Sequence, residues 1–247
     1  MKAAPAAQRR LLDLAGVDAE LSRADHRRRT LPEQVAVEEA ERTLRAAADA
    51  VVVAQTALSD LDRDVAKLDR EVEQVRTRET RDRQLLDNGS VSAKQAGDLS
   101  HELESLERRR AVLEEEQLEV MERQEAAGID LAHETEAHAT AKTALEDAVE
   151  RRDGVLGDIG VLEARRGEER TALLAELPAD LVALYDQIRA KGAVGAGELT
   201  GNRCGACRLE MDRAELRDIQ GAAPDEVVRC DNCGAIVVRK PVPGSSA

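Results

Sequence analysis

The chain has no Phe, no Trp and a single Tyr, Tyr185. Aromatic rings dominate burial in ordinary globular cores, so a thick single core is excluded, and thin interfaces of Leu, Val and Ala are expected instead. Long apolar runs are also missing, which leaves no stretch of membrane-span length. Met1-Lys2-Ala3-Ala4-Pro5 lacks the apolar centre of a secretion signal. Positive charge is in deficit: the net charge is −14 at pH 7, so the overall field does not draw polyphosphate or anionic lipid. What is abundant is Ala, Glu, Leu and Arg with helical periodicity, the composition of long helices and coiled coils. Charged residues make up 35% of the chain, a level shared with disordered segments, but sustained apolar periodicity argues for folded helices.

The chain turns at Leu86-Asp87-Asn88-Gly89-Ser90-Val91-Ser92. Asn88-Gly89 favours a turn because both tolerate positive φ, and Ser90 or Ser92 can cap the next helix. About 80 residues lie on either side, roughly 120 Å of helix each way at 1.5 Å per residue. Matched arms around one turn predict an antiparallel helical hairpin.

Gln8 to Thr30 reads as a first helix, followed by a break or kink near Leu31-Pro32, where proline can equally start a new helix. Val37, Leu44, Val51, Leu58, Val65 and Val72 then recur every seven residues. Ala40, Ala47, Ala54, Leu61, Leu68 and Val75 fill the companion position, which implies left-handed supercoiling. This seam fails at Glu79 and Asp82. In the second arm one row runs from Leu99 through Leu106, Leu113, Val120 and Ala127 to Leu162. The other carries polar Arg110, Gln117, Gln124, His138, Arg152 and Arg166, which cost burial energy but can fix register. Gly154, Gly157 and Gly160 predict a bend over 154–160, at a depth similar to Pro32. Leu177-Pro178 ends the arm, and a short helix over 179–190 closes a helical region spanning 1–191. Residues 192–200, rich in Gly and Ala, read as a flexible linker, and 241–247 as a disordered tail.

Residues 201–240 carry the chemistry. Cys204-Gly205-Ala206-Cys207 and Cys230-Asp231-Asn232-Cys233 are two C-x-x-C units, a spacing that turns both sulfurs of a pair toward one ion. Four thiolates complete a tetrahedral zinc shell. Leu209 to Met211, Glu226 to Val228 and Ala235 to Val238 read as strands. Asp212 to Glu215 resembles a capping box opening a short helix, and Gly234 suits the second knuckle's turn. Four cysteines close the shell, and no histidine lies in the module, so one structural Zn2+ is expected on Cys204, Cys207, Cys230 and Cys233, with no catalytic residue. The fold class is mostly α: a long antiparallel coiled-coil hairpin with a small C-terminal four-cysteine zinc ribbon.

Other candidates are bland. His133 and His138 follow no metal-ligand spacing. The Arg9-Arg10, Arg27-Arg28-Arg29, Arg108-Arg109-Arg110, Arg151-Arg152 and Arg165-Arg166 clusters have acids nearby, which makes salt-bridged helix faces the better reading. Within the ribbon region Arg203, Arg208, Arg213, Arg217, Arg229, Arg239 and Lys240 read as matched by nearby carboxylates, and no aromatic stacking platform accompanies them.

Asn88-Gly89-Ser90-Val91-Ser92, Leu103-Glu104-Ser105-Leu106-Glu107-Arg108-Arg109, Tyr185-Asp186-Gln187-Ile188-Arg189 and both C-x-x-C pairs resemble the bacterial C4-type zinc-ribbon proteins with a long N-terminal coiled-coil hairpin. The resemblance implies zinc on the four cysteines and a non-enzymatic role in binding protein or nucleic acid. One branch of that family, in flagellar regulation, is linked to an alternative sigma factor and to RNA. Where members often carry an aromatic after the second knuckle, this chain has Ile236-Val237-Val238. The expectation is a cytoplasmic adaptor that docks on a protein partner such as transcription machinery, with direct RNA or DNA binding through the ribbon as the alternative.

Overall fold

The computed structural model describes residues 1–240. The tail expected at 241–247 lies outside the described residues. Helices α1 (Pro5–Arg29), α2 (Pro32–Asp87), α3 (Ala93–Glu176) and α4 (Ala179–Arg189) are followed by β1 (Ala196–Thr200), β2 (Arg203–Cys204), α5 (Arg213–Gly221), β3 (Val228–Arg229) and β4 (Ile236–Val238). The chain divides into two compact units: Glu33–Arg151, and Met1–Pro32 together with the chain from Arg152 onward.

The first unit is the hairpin. Gly89 takes a positive φ of 59°, and its N–H donates to the Leu86 carbonyl at 3.2 Å. Ser92, not Ser90, caps α3. Its Oγ accepts from Gln95 N–H at 3.4 Å, and its own N–H donates to Gln95 Oε1 at 2.9 Å, the reciprocal pattern that satisfies two free donors. Both seam rows of each arm are buried or half-buried within this unit. Three of the polar seam positions face acids on α2. Arg110 Nη1 donates to Glu79 Oε2 at 3.0 Å, Gln124 Nε2 to Asp62 Oδ1 at 2.6 Å, and Gln117 to Asp69. Glu79, where the apolar row fails, is fully buried and also receives Arg83 at 3.5 Å. The interruption is a cross-helix ion pair.

The second unit gathers the N-terminal helix, the end of α3, α4 and the sheet. Proline sets where two helices start. Pro5 opens α1, three residues ahead of the expected Gln8, and Pro32 opens α2 after a break at Thr30 and Leu31. Its fixed φ suits the first helical position, where a missing N–H costs nothing. Helix α3 runs through Gly154, Gly157 and Gly160 without interruption.

The sheet order is β2-β1-β4-β3, with β1 parallel to β4 and the other pairs antiparallel. Strand β1 corrects the expected linker over 192–200. Ala196, Gly197 and Glu198 pair with Ile236, Val237 and Val238, and Gly197 leaves room for the Ala206 backbone, whose nitrogen a Cβ there would overlap. Leu11, Leu14, Leu173, Leu181, Tyr185, Ile236 and Val238 share one core. The ribbon is therefore packed onto α1 and α4 and does not form a separate body bounded at residue 201.

Candidate metal centre

Two tight turns bring the cysteines together. In the first knuckle the Arg208 N–H donates to the Cys204 carbonyl at 2.8 Å, and in the second the Gly234 N–H donates to the Cys230 carbonyl at 2.8 Å. The turns end alike: Arg208 has φ 64° and Gly234 φ 73°. Glycine takes that conformation freely, whereas arginine does so against its own Cβ. Cys204 N–H donates to the Leu209 carbonyl at 3.1 Å and Cys230 N–H to the Ala235 carbonyl at 2.9 Å, which closes each loop.

The four sulfurs lie within 4.8 Å of one another. Cys204 Sγ and Cys233 Sγ are 3.9 Å apart. A zinc tetrahedron with bonds of about 2.3 Å has edges of roughly 3.8 Å, so the donor set fits zinc in kind, number and size. Cys204 and Cys230 are buried, and Cys207 and Cys233 are half-buried. Backbone donors face the sulfurs. The Leu209 N–H holds the Cys207 thiol below its ordinary value. Burial raises that of Cys230 despite the Cys233 and Asn232 amides, and it pushes Cys233 up to about 12. Zinc must therefore displace protons on entering.

Close backbone packing supports the first knuckle. Gly205 N–H donates to the Glu198 carbonyl at 2.9 Å. A Cβ on Gly205 would lie 2.5 Å from that oxygen, and one on Gly197 would lie 2.8 Å from the Gly205 carbonyl carbon. Helix α5 holds the second knuckle. Asp212 Oδ1 accepts from Ala214 N–H at 2.7 Å and Glu215 N–H at 2.8 Å, and these donors lower its carboxyl pKa. The capping box is only half made, because Glu215 Oε1 accepts from Asp231 N–H at 2.9 Å. Arg239, expected to meet carboxylates, instead donates to the carbonyls of Ile219, Ala222, Ala223, Pro224 and Glu226 at 2.5–3.4 Å.

Among the described residues the four cysteines form the only cluster able to hold a metal. His133 is exposed beside Glu134 at 3.5 Å. His138 is half-buried on the hairpin seam. Most arginine clusters meet acids: Arg10 pairs with Asp13 and Glu176, Arg28 with Glu163, Arg109 with Glu71, and Arg166 with Glu20.

The CT398-like coiled coil hairpin domain model matches residues 14–193, and the C4-type zinc ribbon domain model matches 203–237. The chain belongs to the CT398-like coiled-coil hairpin family. The ribbon of this member holds one structural zinc ion, in keeping with its converged sulfurs. An uncharacterised protein of Mycobacterium tuberculosis strain H37Rv is 44% identical over 239 residues, covering 97% of this chain and 98% of that protein. One from Mycobacterium leprae is 38% identical over 223 residues, covering 90% and 96%. A solved structure from Mycobacterium smegmatis, 44% identical, covers 97% of this chain and all of that one, with a TM-score of 0.85. CT398 from Chlamydia trachomatis shares the fold at 14% identity, covering 95% of this chain and 98% of that one, with a TM-score of 0.64. No helix among the described residues is long and apolar enough to cross a membrane.

Proposed function

We propose that this zinc-binding coiled-coil protein is a non-enzymatic adaptor that docks on a protein partner such as transcription machinery. Its zinc is held by Cys204, Cys207, Cys230 and Cys233 and serves structure alone. The closed thiolate shell carries this reading: four sulfurs fill zinc's tetrahedral positions and leave none open for water or substrate. Both matching domain families, a coiled-coil hairpin and a zinc ribbon, agree with it.

Direct RNA or DNA binding has one observation in its favour. Arg9, Arg10, Arg239 and Lys240 line a cleft between α1 and the sheet, with Asp13 and Glu198 as its acids. Arg239 is occupied by backbone carbonyls, and Arg10 by carboxylates. Arg9 and Lys240 remain to meet a phosphate, too few to overcome an acidic chain with no stacking aromatic. Capture of partners from cells with and without nuclease separates the two readings. The adaptor retains its protein partner after nuclease treatment; loss of every partner on digestion overturns it.

A further inference from the structure

One stretch of α3 departs from the pattern a simple rod requires. One row of its seam holds Gln117 and Gln124, each bonded to an aspartate of α2, while Leu113, Val120 and Ala127 keep the other row apolar. Leu118, Met121 and Ile129 stand outside the seam at 62%, 45% and 65% exposure. Leu118 and Ile129 are eleven residues apart, so they lie about 20° from each other around the helix, with Met121 about 60° to one side. Leu58 of α2 joins Leu118 and Met121 in lining a groove whose rim is Asp62, Glu122 and Glu125. Across residues 112–134 the only Lys or Arg is Arg123, among eight carboxylates.

We propose that this face of the hairpin is the docking site for a basic amphipathic helix of a partner protein. The inference rests on the adaptor reading and names the chemistry of one partner. An apolar strip at helical spacing matches the stripe of a third helix laid along a coiled coil, and methionine adapts to varied apolar surfaces. Lys or Arg flanking that stripe would meet Asp62, Glu122 and Glu125. A second copy is a poor occupant, because an isologous contact sets the same acidic band against itself.

The test uses the full-length zinc-loaded protein and a fluorescent synthetic peptide of about 21 residues, Leu at the a and d positions and Lys elsewhere. Anisotropy should show saturable one-to-one binding. The pairs Leu118→Ser with Met121→Ser, and Glu122→Lys with Glu125→Lys, should each weaken it about tenfold or more. Asp147→Lys with Glu150→Lys makes the same charge change at exposed positions outside the groove and should shift it no more than about twofold. Absence of saturable binding, or equal weakening by both charge reversals, overturns the proposal. So does a wild-type dimer abolished by the serine pair. If the peptide fails while nuclease-resistant capture of a protein persists, the groove is refuted and the adaptor stands.

Discussion

The hydroxyl of Tyr185 donates to Asp18 Oδ2 at 2.8 Å, across 167 residues of sequence. Both groups are buried. The other carboxylate oxygen receives Arg170 Nε at 2.8 Å and Arg189 Nη1 at 3.0 Å. This network joins α1, α3 and α4 inside one unit, and it gives the only tyrosine a structural duty.

Tyr185→Phe removes one hydrogen bond and keeps the ring, and should cost about 1–2 kcal/mol in denaturant unfolding. Asp18→Ala should cost more, about 3 kcal/mol, because two arginines lose a buried partner. A smaller loss for Asp18→Ala than for Tyr185→Phe would contradict the network.

Burial and the Asp18 carboxylate raise the Tyr185 pKa well above its ordinary 10.0. The fold binds the neutral phenol, so this stability is complete below pH 10 and is lost as pH rises beyond it. With no Trp present, absorbance near 295 nm reports Tyr185 alone. It should stay flat past pH 10 and rise only together with loss of the helix signal. Tyrosinate forming at its ordinary pH in the folded protein would refute the burial.

Gly195 lies against the Tyr185 ring, and a Cβ there would overlap it. Gly195→Ala should destabilise the protein by about 1–3 kcal/mol through overpacking, whereas Gly154→Ala, with open space at its Cβ, should stabilise α3 by up to about 1 kcal/mol. Thermal melts of the two variants should move in opposite directions.

The two knuckles predict opposite responses at equivalent turns. Gly234→Ala forces a Cβ into the left-handed region and should cost about 1–2 kcal/mol. Arg208→Gly relieves the same strain and should be neutral or mildly stabilising. Competition for zinc with a chromophoric chelator measures both; equal weakening would refute the shared geometry.

Stripping zinc should abolish hydrogen-exchange protection over 196–239 and loosen α1, whose Leu11 and Leu14 share a core with Ile236 and Val238. The 33–151 unit should keep its protection. Collapse of far-UV helicity on chelation would show the metal supporting far more than the unit that holds it.

Periodicity made the hairpin and its seams legible, because a seven-residue repeat has few other physical meanings. Paired cysteines made the metal legible for a similar reason. Strand β1 was not legible. Ala196-Gly197-Glu198-Leu199-Thr200 has little strand propensity, and it becomes a strand because β4 and the Gly205 knuckle lie beside it. Glu79 read as a failed seam position, since its partner Arg110 is 31 residues away and appears only once the chain has folded back. Asp18 gave no signal at all, being one acid among many on a charged helix.

Ala3 N–H bonds the Asp225 carbonyl, and Val227 N–H bonds the Met1 carbonyl. The two partners of each bond thus lie more than two hundred positions apart along the chain. Joining segments so distant carries a loop-closure cost that the local turns of the hairpin helices do not share.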